Sequence, residues 1–277
     1  MKILIPTDFS PLSKVAVLYA VKLGKKLKAE LVILNVVNLD SSPGRGILNV
    51  KYLEDKLTEN AVEDSAQLIS EIRSEIKGKI NITSQVVKGY PVENVVTNYA
   101  QHNDIDLIVM GTKGATGLKK ILLGSNAAAV INKSNIPVIA VPEFARFTNL
   151  KDIIYATDIL NLKNELKTVV SFAKDFNATV HILHIVSPAA QSKLDIKQTV
   201  AKLTKAMEYK KITVTVSLHE DAAEGIDQYV IKHKADMLAM FTHKLDFYEK
   251  LFGKSVTRQL TFRAQVPLIT FNKTTLL

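Results

Sequence analysis

The residues best suited to chemistry lie between Asp106 and Asn126, in the string DLIVMGTKGATGLKKILLGSN. An apolar run, Leu107–Met110, passes into Gly111 and Gly114, and further on Gly124 is followed by Ser125 and Asn126. A strand feeding a glycine-rich loop, with amides and hydroxyls arriving again at the start of a helix, can cradle phosphate oxygens. Glycine suits such a loop for two reasons: it adopts positive φ without strain, and it lets an anion approach bare backbone. Lys113, Lys119 and Lys120 could add countercharge, although a lysine pair such as Lys119-Lys120 is more often a solvated face. Pro6, Thr7 and Asp8 close the N-terminal apolar run, and Val36 and Val37 close the next one. Asp8 could accept a hydrogen bond from a ribose hydroxyl or an adenine amine, or it could cap the first helix. Val36 and Met110 could flank an apolar base.

The elements that must position these groups are legible in order. Residues 2–8 (KILIPTD) read as a short buried strand, and Ser10-Pro11 as a helix cap with a first-turn proline. Val15, Leu18, Ala20, Val21 and Leu23 mark an amphipathic helix. Residues 31–37 (LVILNVV) form a strand covered on both faces, and 38–50 form a loop. A long helix is expected over 51–77, through Leu53, Leu57, Ala61, Ala66, Leu68, Ile69 and Ile72, then a strand at 82–88. A helix begins around Pro91 and runs to about 102, followed by the strand 107–110, the glycine loop, a helix over 125–133 and a last strand, 137–141. Strands alternating with helices imply parallel pairing, helices on both faces and right-handed crossovers. In such an open sheet a ligand sits beyond the carboxyl ends of the strands, where Pro6–Asp8, Val36 and Met110–Gly114 all fall.

The pattern then restarts. KILIPTD at 2–8 returns as DIIYATD at 152–158, and AELVILNVV at 29–37 as ATVHILHIV at 178–186. DIDLIVM at 104–110 matches KADMLAM at 234–240, and NIPVIAV at 135–141 matches QVPLITF at 265–271. The chain reads as a tandem duplication of two doubly wound domains, 1–145 and 150–277, with the junction in Pro142–Leu150.

Bulk properties narrow the function. With 36 Lys and Arg against 27 Asp and Glu, the net charge is +9 over 277 residues. The lysines are spread along helices rather than massed with aromatics, and there is no Trp, so a nucleic-acid partner is not expected. Cysteine is absent, which excludes disulfides and thiolate chemistry. No stretch approaches the ~18 apolar residues of a membrane span, and the N-terminal apolar run is too short for a signal core, so a cytoplasmic protein with no membrane partner is expected. Neither a Walker A element nor a GxGxxG fingerprint occurs, which disfavours ordinary P-loop NTPases and Rossmann dehydrogenases. HExxH, a nucleophile elbow and paired carboxylates are also missing. His181 and His184 point to opposite faces of a strand and make a poor metal pair. His233 reads as a solvated helix residue, and His243 is the histidine to watch. No catalytic residue and no metal ligand is assigned.

In combination, IPTDFS near the N-terminus, Gly111-x2-Gly114-x9-Gly124-Ser125, and PVIAVPE at 137–143 resemble the universal stress proteins, in a tandem, UspA-like arrangement. The resemblance spans essentially the whole chain and is stronger in the first half. It implies two tandem open α/β sheets of five mainly parallel strands each, of the adenine-nucleotide alpha-hydrolase-like type. It also implies dimer-like pairing through the last strand, which makes the two halves an intramolecular pseudo-dimer and leaves a homodimer open. The adenine-nucleotide site so implied comprises Pro6, Thr7, Asp8, Val36, Met110, Gly111, Gly114, Gly124, Ser125 and Asn126. ATP is the expected ligand, with AMP or ADP as alternatives and magnesium as an accompanying ion; a protein partner is expected but not specified.

The second half departs from this pattern. Aligned without a gap, Gly111 faces Phe241, Gly114 faces Lys244 and Gly124 faces Lys254, while Ser125 keeps a match at Ser255. Side chains then stand where phosphates would approach, and positive φ there would cost roughly 1 kcal/mol or more each. Gly253, one place before the matching position, leaves room for a rebuilt loop. The expectation is one competent nucleotide site, in the first half, serving a signalling or stress-response module with at most slow hydrolysis. The alternatives are a scaffold of the same fold that binds no nucleotide and, by fold analogy alone, an adenylate-forming enzyme.

Overall fold

The computed structural model describes residues 1–38, 47–112, 124–188, 204, 208–242 and 266–272. These residues form two compact units, one between Met1 and Phe144 and the other from Ala145 onward. None of the described helices is long and apolar enough to cross a membrane.

In the first unit, β1 (Lys2–Pro6) is the central strand, with Ile3, Leu4 and Ile5 wholly buried. Burial on both faces explains its unbroken apolar run. The chain turns at Thr7–Ser10 and enters α1 (Pro11–Leu27), capped by the Ser10 hydroxyl, which accepts from the Ser13 amide. The helix ends where Lys28 takes a left-handed conformation and its amide returns to the Gly24 and Lys25 carbonyls. Its buried stripe runs through Ala16, Val17, Ala20, Val21 and Leu23, whereas Leu18 faces outward, against the sequence expectation.

β2 (Glu30–Val37) leads to α2 (Ile47–Glu75), which starts and ends a little earlier than its periodicity suggests. Ala61, Leu68 and Ile72 are buried, but Leu53 and Leu57 are not, so only the second half of this helix is anchored in the core. β3 (Ile82–Lys88), α3 (Val92–His102), β4 (Leu107–Gly111), α4 (Ser125–Lys133) and β5 (Val138–Val141) complete the unit. The strand order is β3-β2-β1-β4-β5, and every pairing is parallel. The order reverses between β1 and β4, which makes their carboxyl ends the expected ligand crevice.

The second unit repeats this plan with β6 (Asp152–Ala156), α5 (Leu162–Lys174), β7 (Thr179–Val186), β8 (Ile212–Leu218), α6 (Ala222–His233), β9 (Met237–Thr242) and β10 (Leu268–Asn272). Its order is β8-β7-β6-β9-β10, again parallel throughout. The registers bear out the alignment of the halves: Gly111 pairs with Val141, and Phe241 with Phe271.

Candidate functional site

Two short side chains shape the turn after β1. The Thr7 hydroxyl accepts from the Phe9 amide at 3.0 Å and donates to the Ser13 hydroxyl at 2.9 Å. The Asp8 carboxylate accepts from the Ser10 amide at 3.1 Å. Together they hold Phe9 at φ 59°, a left-handed conformation uncommon for a bulky residue. Asp8 is therefore a turn-former, and Ser10 is the helix cap, which corrects the alternative that Asp8 caps α1. Partial burial pulls the Asp8 carboxyl upward, but hydrogen bonds from Ser10 and Ser13 outweigh it and hold the group below its usual range. Asp8 is thus a fixed anion and hydrogen-bond acceptor, but a weak base.

The glycines act differently from the sequence expectation. Gly111 is the last residue of β4, and Gly124 caps α4 at φ −61° and ψ 154°. Neither has positive φ. What Gly111 provides is closeness: a Cβ there would stand 3.3 Å from the Leu12 carbonyl oxygen and 3.7 Å from the Ser13 Cα, so β4 ends against the bare backbone of α1. Gly124 offers no side-chain cap, and the first turn of α4 carries no acid, so its amides and the exposed Ser125 and Asn126 remain available to an anion. The far end of α4 is tied to α3, where Lys133 donates to Glu93 at 2.9 Å and to Asn94 at 2.8 Å.

These parts enclose a cavity of about 500 Å³ at the carboxyl ends of β1, β2 and β4. Pro6, Thr7 and Asp8 line it from the β1 turn, Val36 from β2, Met110 and Gly111 from β4, and Gly124, Ser125 and Asn126 from the start of α4. Every residue of the expected site that the structure describes is therefore brought together; Gly114, like Lys113, Lys119 and Lys120, lies outside the described residues. Sequence reasoning overlooked Leu12 and Ser13, from the first turn of α1, and Val92, which opens α3. The helical start at Ser10-Pro11 was a signal for the first two, since a helix that begins after β1 turns its first residues toward the strand ends. The lining combines the apolar Val36, Val92 and Met110 with hydroxyls and helix amides, a mixture suited to a flat heterocycle joined to an anion. Asp8 is the one titratable side chain among the described lining residues.

The sequence pattern of the Universal stress protein family matches residues 1–142 and again residues 150–271. The chain belongs to the universal stress protein family. Two universal stress proteins of Methanocaldococcus jannaschii are 35% and 34% identical to it over 153 and 140 residues, each covering 50% of this chain and 93% and 81% of their own lengths. The universal stress protein YxiE of Bacillus subtilis is 29% identical over 145 residues, covering 50% of this chain and 97% of that protein. In fold, the chain resembles the crystal structure of a universal stress protein from Archaeoglobus fulgidus, with a TM-score of 0.74, 20% identity and 98% of each chain covered.

In the second unit of this tandem universal stress protein the turn survives. Thr157 accepts from the Ile159 amide at 2.9 Å, Asp158 accepts from the Leu160 amide at 3.0 Å, and Ile159 sits at φ 63°. At the position of Gly111, however, stands Phe241, buried between Tyr155 and Phe271, with ring centroids 5.9 and 5.1 Å away. The Tyr155 hydroxyl donates to the buried Glu165 carboxylate. Burial first, and then the charge of Glu165, raise the Tyr155 phenol far above its usual range. Lys244, Gly253, Lys254, Ser255 and His243 lie outside the described residues. His181 bridges Asp152 and Thr213 at 2.8 Å each, and His184 serves the Thr157 carbonyl, so their hydrogen bonds run in different directions.

Proposed function

We propose that the first unit binds an adenine nucleotide, ATP foremost, and that the second unit contributes structure or regulation without an equivalent site. The observation that supports this reading most is the open end of α4. Its unacidified first turn, with Ser125 and Asn126, borders a cavity that is also lined by the apolar Val36, Val92 and Met110 and by Asp8, held as an anion. A triphosphate would lie along the α4 amides, the purine against Val36 and Met110, and the ribose within reach of Asp8. Magnesium would accompany the phosphates. The weak basicity of Asp8 and the lack of another titratable lining group among the described residues make slow turnover the expected behaviour.

The module would then act by biasing a surface read by a protein partner. Isothermal titration with ATP, with and without magnesium, tests the reading. Binding near one equivalent per chain is expected, together with its loss in Gly111→Phe, which installs the residue that the second unit carries. A flat titration of the wild-type protein would favour the scaffold reading, for which the ring-filled second unit is the supporting observation. Undiminished binding in Gly111→Phe would overturn the assignment of the site.

A further inference from the structure

The turn that carries Asp8 is held by β2. The Thr7 amide donates to the Leu34 carbonyl at 2.9 Å, and the Thr7 carbonyl accepts from the Asn35 side-chain amide, also at 2.9 Å. Both polar atoms of one peptide residue are thus clamped to β2, immediately before Asp8. Asn35 is buried and does not line the cavity, although its neighbours Leu34 and Val36 do. A buried amide within an otherwise apolar strand is costly unless it is satisfied. Here it has one evident task.

The duplicated unit performs the same task with a different residue. There the Thr157 amide donates to the Leu183 carbonyl at 3.0 Å, and the Thr157 carbonyl meets the His184 Nδ1 at 2.8 Å. A carbonyl only accepts, so the Nδ1 carries the proton. Asn35 and His184 occupy matching places in LVILNVV and VHILHIV, and each offers one N–H to the same backbone carbonyl. What the two turns share is therefore a donor at this point, not a side-chain type.

We infer that Asn35 is a positioning residue for ligand binding: by clamping the Thr7 carbonyl it fixes the direction in which the Asp8 carboxylate enters the cavity. This rests on the nucleotide reading above, in which Asp8 meets the nucleoside and α4 meets the phosphates. Removing the donor frees the turn on the nucleoside side and leaves the α4 end untouched. The effect on a ligand should thus depend on which end of the cavity it uses.

Asn35→Leu keeps the approximate shape and lacks the donor; Asn35→His supplies the donor by the precedent of the second unit. Adenosine and inorganic tripolyphosphate serve as separate probes in titration calorimetry. Asn35→Leu should weaken adenosine about tenfold, the scale of one buried carbonyl left without its donor, and leave tripolyphosphate unchanged. Asn35→His should restore adenosine binding. Equal adenosine affinity in Asn35→Leu, parallel loss of both probes, or failure of Asn35→His to restore binding would each overturn the proposal.

Hydrogen exchange provides a readout independent of ligand. The Phe9 and Ser10 amides, bonded to Thr7 and Asp8, should exchange faster in Asn35→Leu and at the wild-type rate in Asn35→His. If the wild-type protein binds neither probe while exchange behaves as expected, the nucleotide reading fails and the clamp stands. If exchange at Phe9 and Ser10 is unchanged in Asn35→Leu, the clamp itself fails.

Discussion

Gly111 and Leu12 meet backbone to backbone: a Cβ at position 111 would stand 3.3 Å from the Leu12 carbonyl oxygen. The carbonyl belongs to the first turn of α1, so it can yield only by tenths of an ångström before the helix start moves. Gly111→Ala should therefore keep the fold and weaken ATP several-fold by shifting Leu12 and Ser13, both of which line the cavity. Gly111→Phe should abolish binding. Calorimetric titration beside a thermal melt separates the two effects.

Gly24 performs a comparable service inside the core. A Cβ there would lie 2.5 Å from the Leu31 Cδ2, and Leu31 is itself buried in β2. Gly24→Ala would raise helix propensity, but overpacking at this contact should dominate, with a net loss of about 1–3 kcal/mol. A lowered urea midpoint at unchanged slope would be the signature.

Tyr155→Phe tests the filled second unit. The substitution removes the hydroxyl that donates to Glu165 and leaves a buried carboxylate without that donor. A loss of about 1.5–3 kcal/mol is expected, the usual scale for a hydrogen bond to a charged group. ATP affinity in the first unit should not change. Chemical denaturation and ATP titration of the same variant check both halves of this statement.

The pair Glu93–Lys133 should make stability depend on acid. The hydrogen bond from Lys133 is the main cause that holds the Glu93 carboxyl below its ordinary 4.5. A depressed carboxyl contributes stability above its unfolded value, and that contribution disappears as pH falls through the lower folded value. Glu93→Gln should thus be less stable than wild type at neutral pH, by roughly 0.2–1 kcal/mol for a partly exposed pair. The difference should close as the solution is acidified below 4.5. Thermal melts across that range would reveal a gap of constant size if the pair contributes nothing.

Much of this architecture was legible in the residues. The strands at 31–37 and 82–88 and the helix at 125–133 stand where their patterning puts them, because residue periodicity is a local property. The convergence of Thr7, Val36, Met110 and Ser125 followed from strand order in an open parallel sheet. What failed depended on neighbours distant in sequence. Gly111 looks like a positive-φ glycine until Leu12 is seen beside it. Asn35 carries no local signal of its role, because the carbonyl it serves belongs to the turn after another strand. Leu53 and Leu57 keep a helical period, yet their part of α2 extends beyond the core that would bury them.

The aromatic stack of the second unit has a consequence for substitution. Phe241 and Phe271 are register partners with rings 5.1 Å apart, and Tyr155 leans on the first of them. Trimming Phe241 alone would not reopen a crevice, since Phe271 and Tyr155 would be left bordering a void, at a cost of about 3–5 kcal/mol. Several substitutions would have to arrive together before space opened there without leaving a void. The three rings therefore lock one another: a change at any one of them is opposed by the packing of the other two.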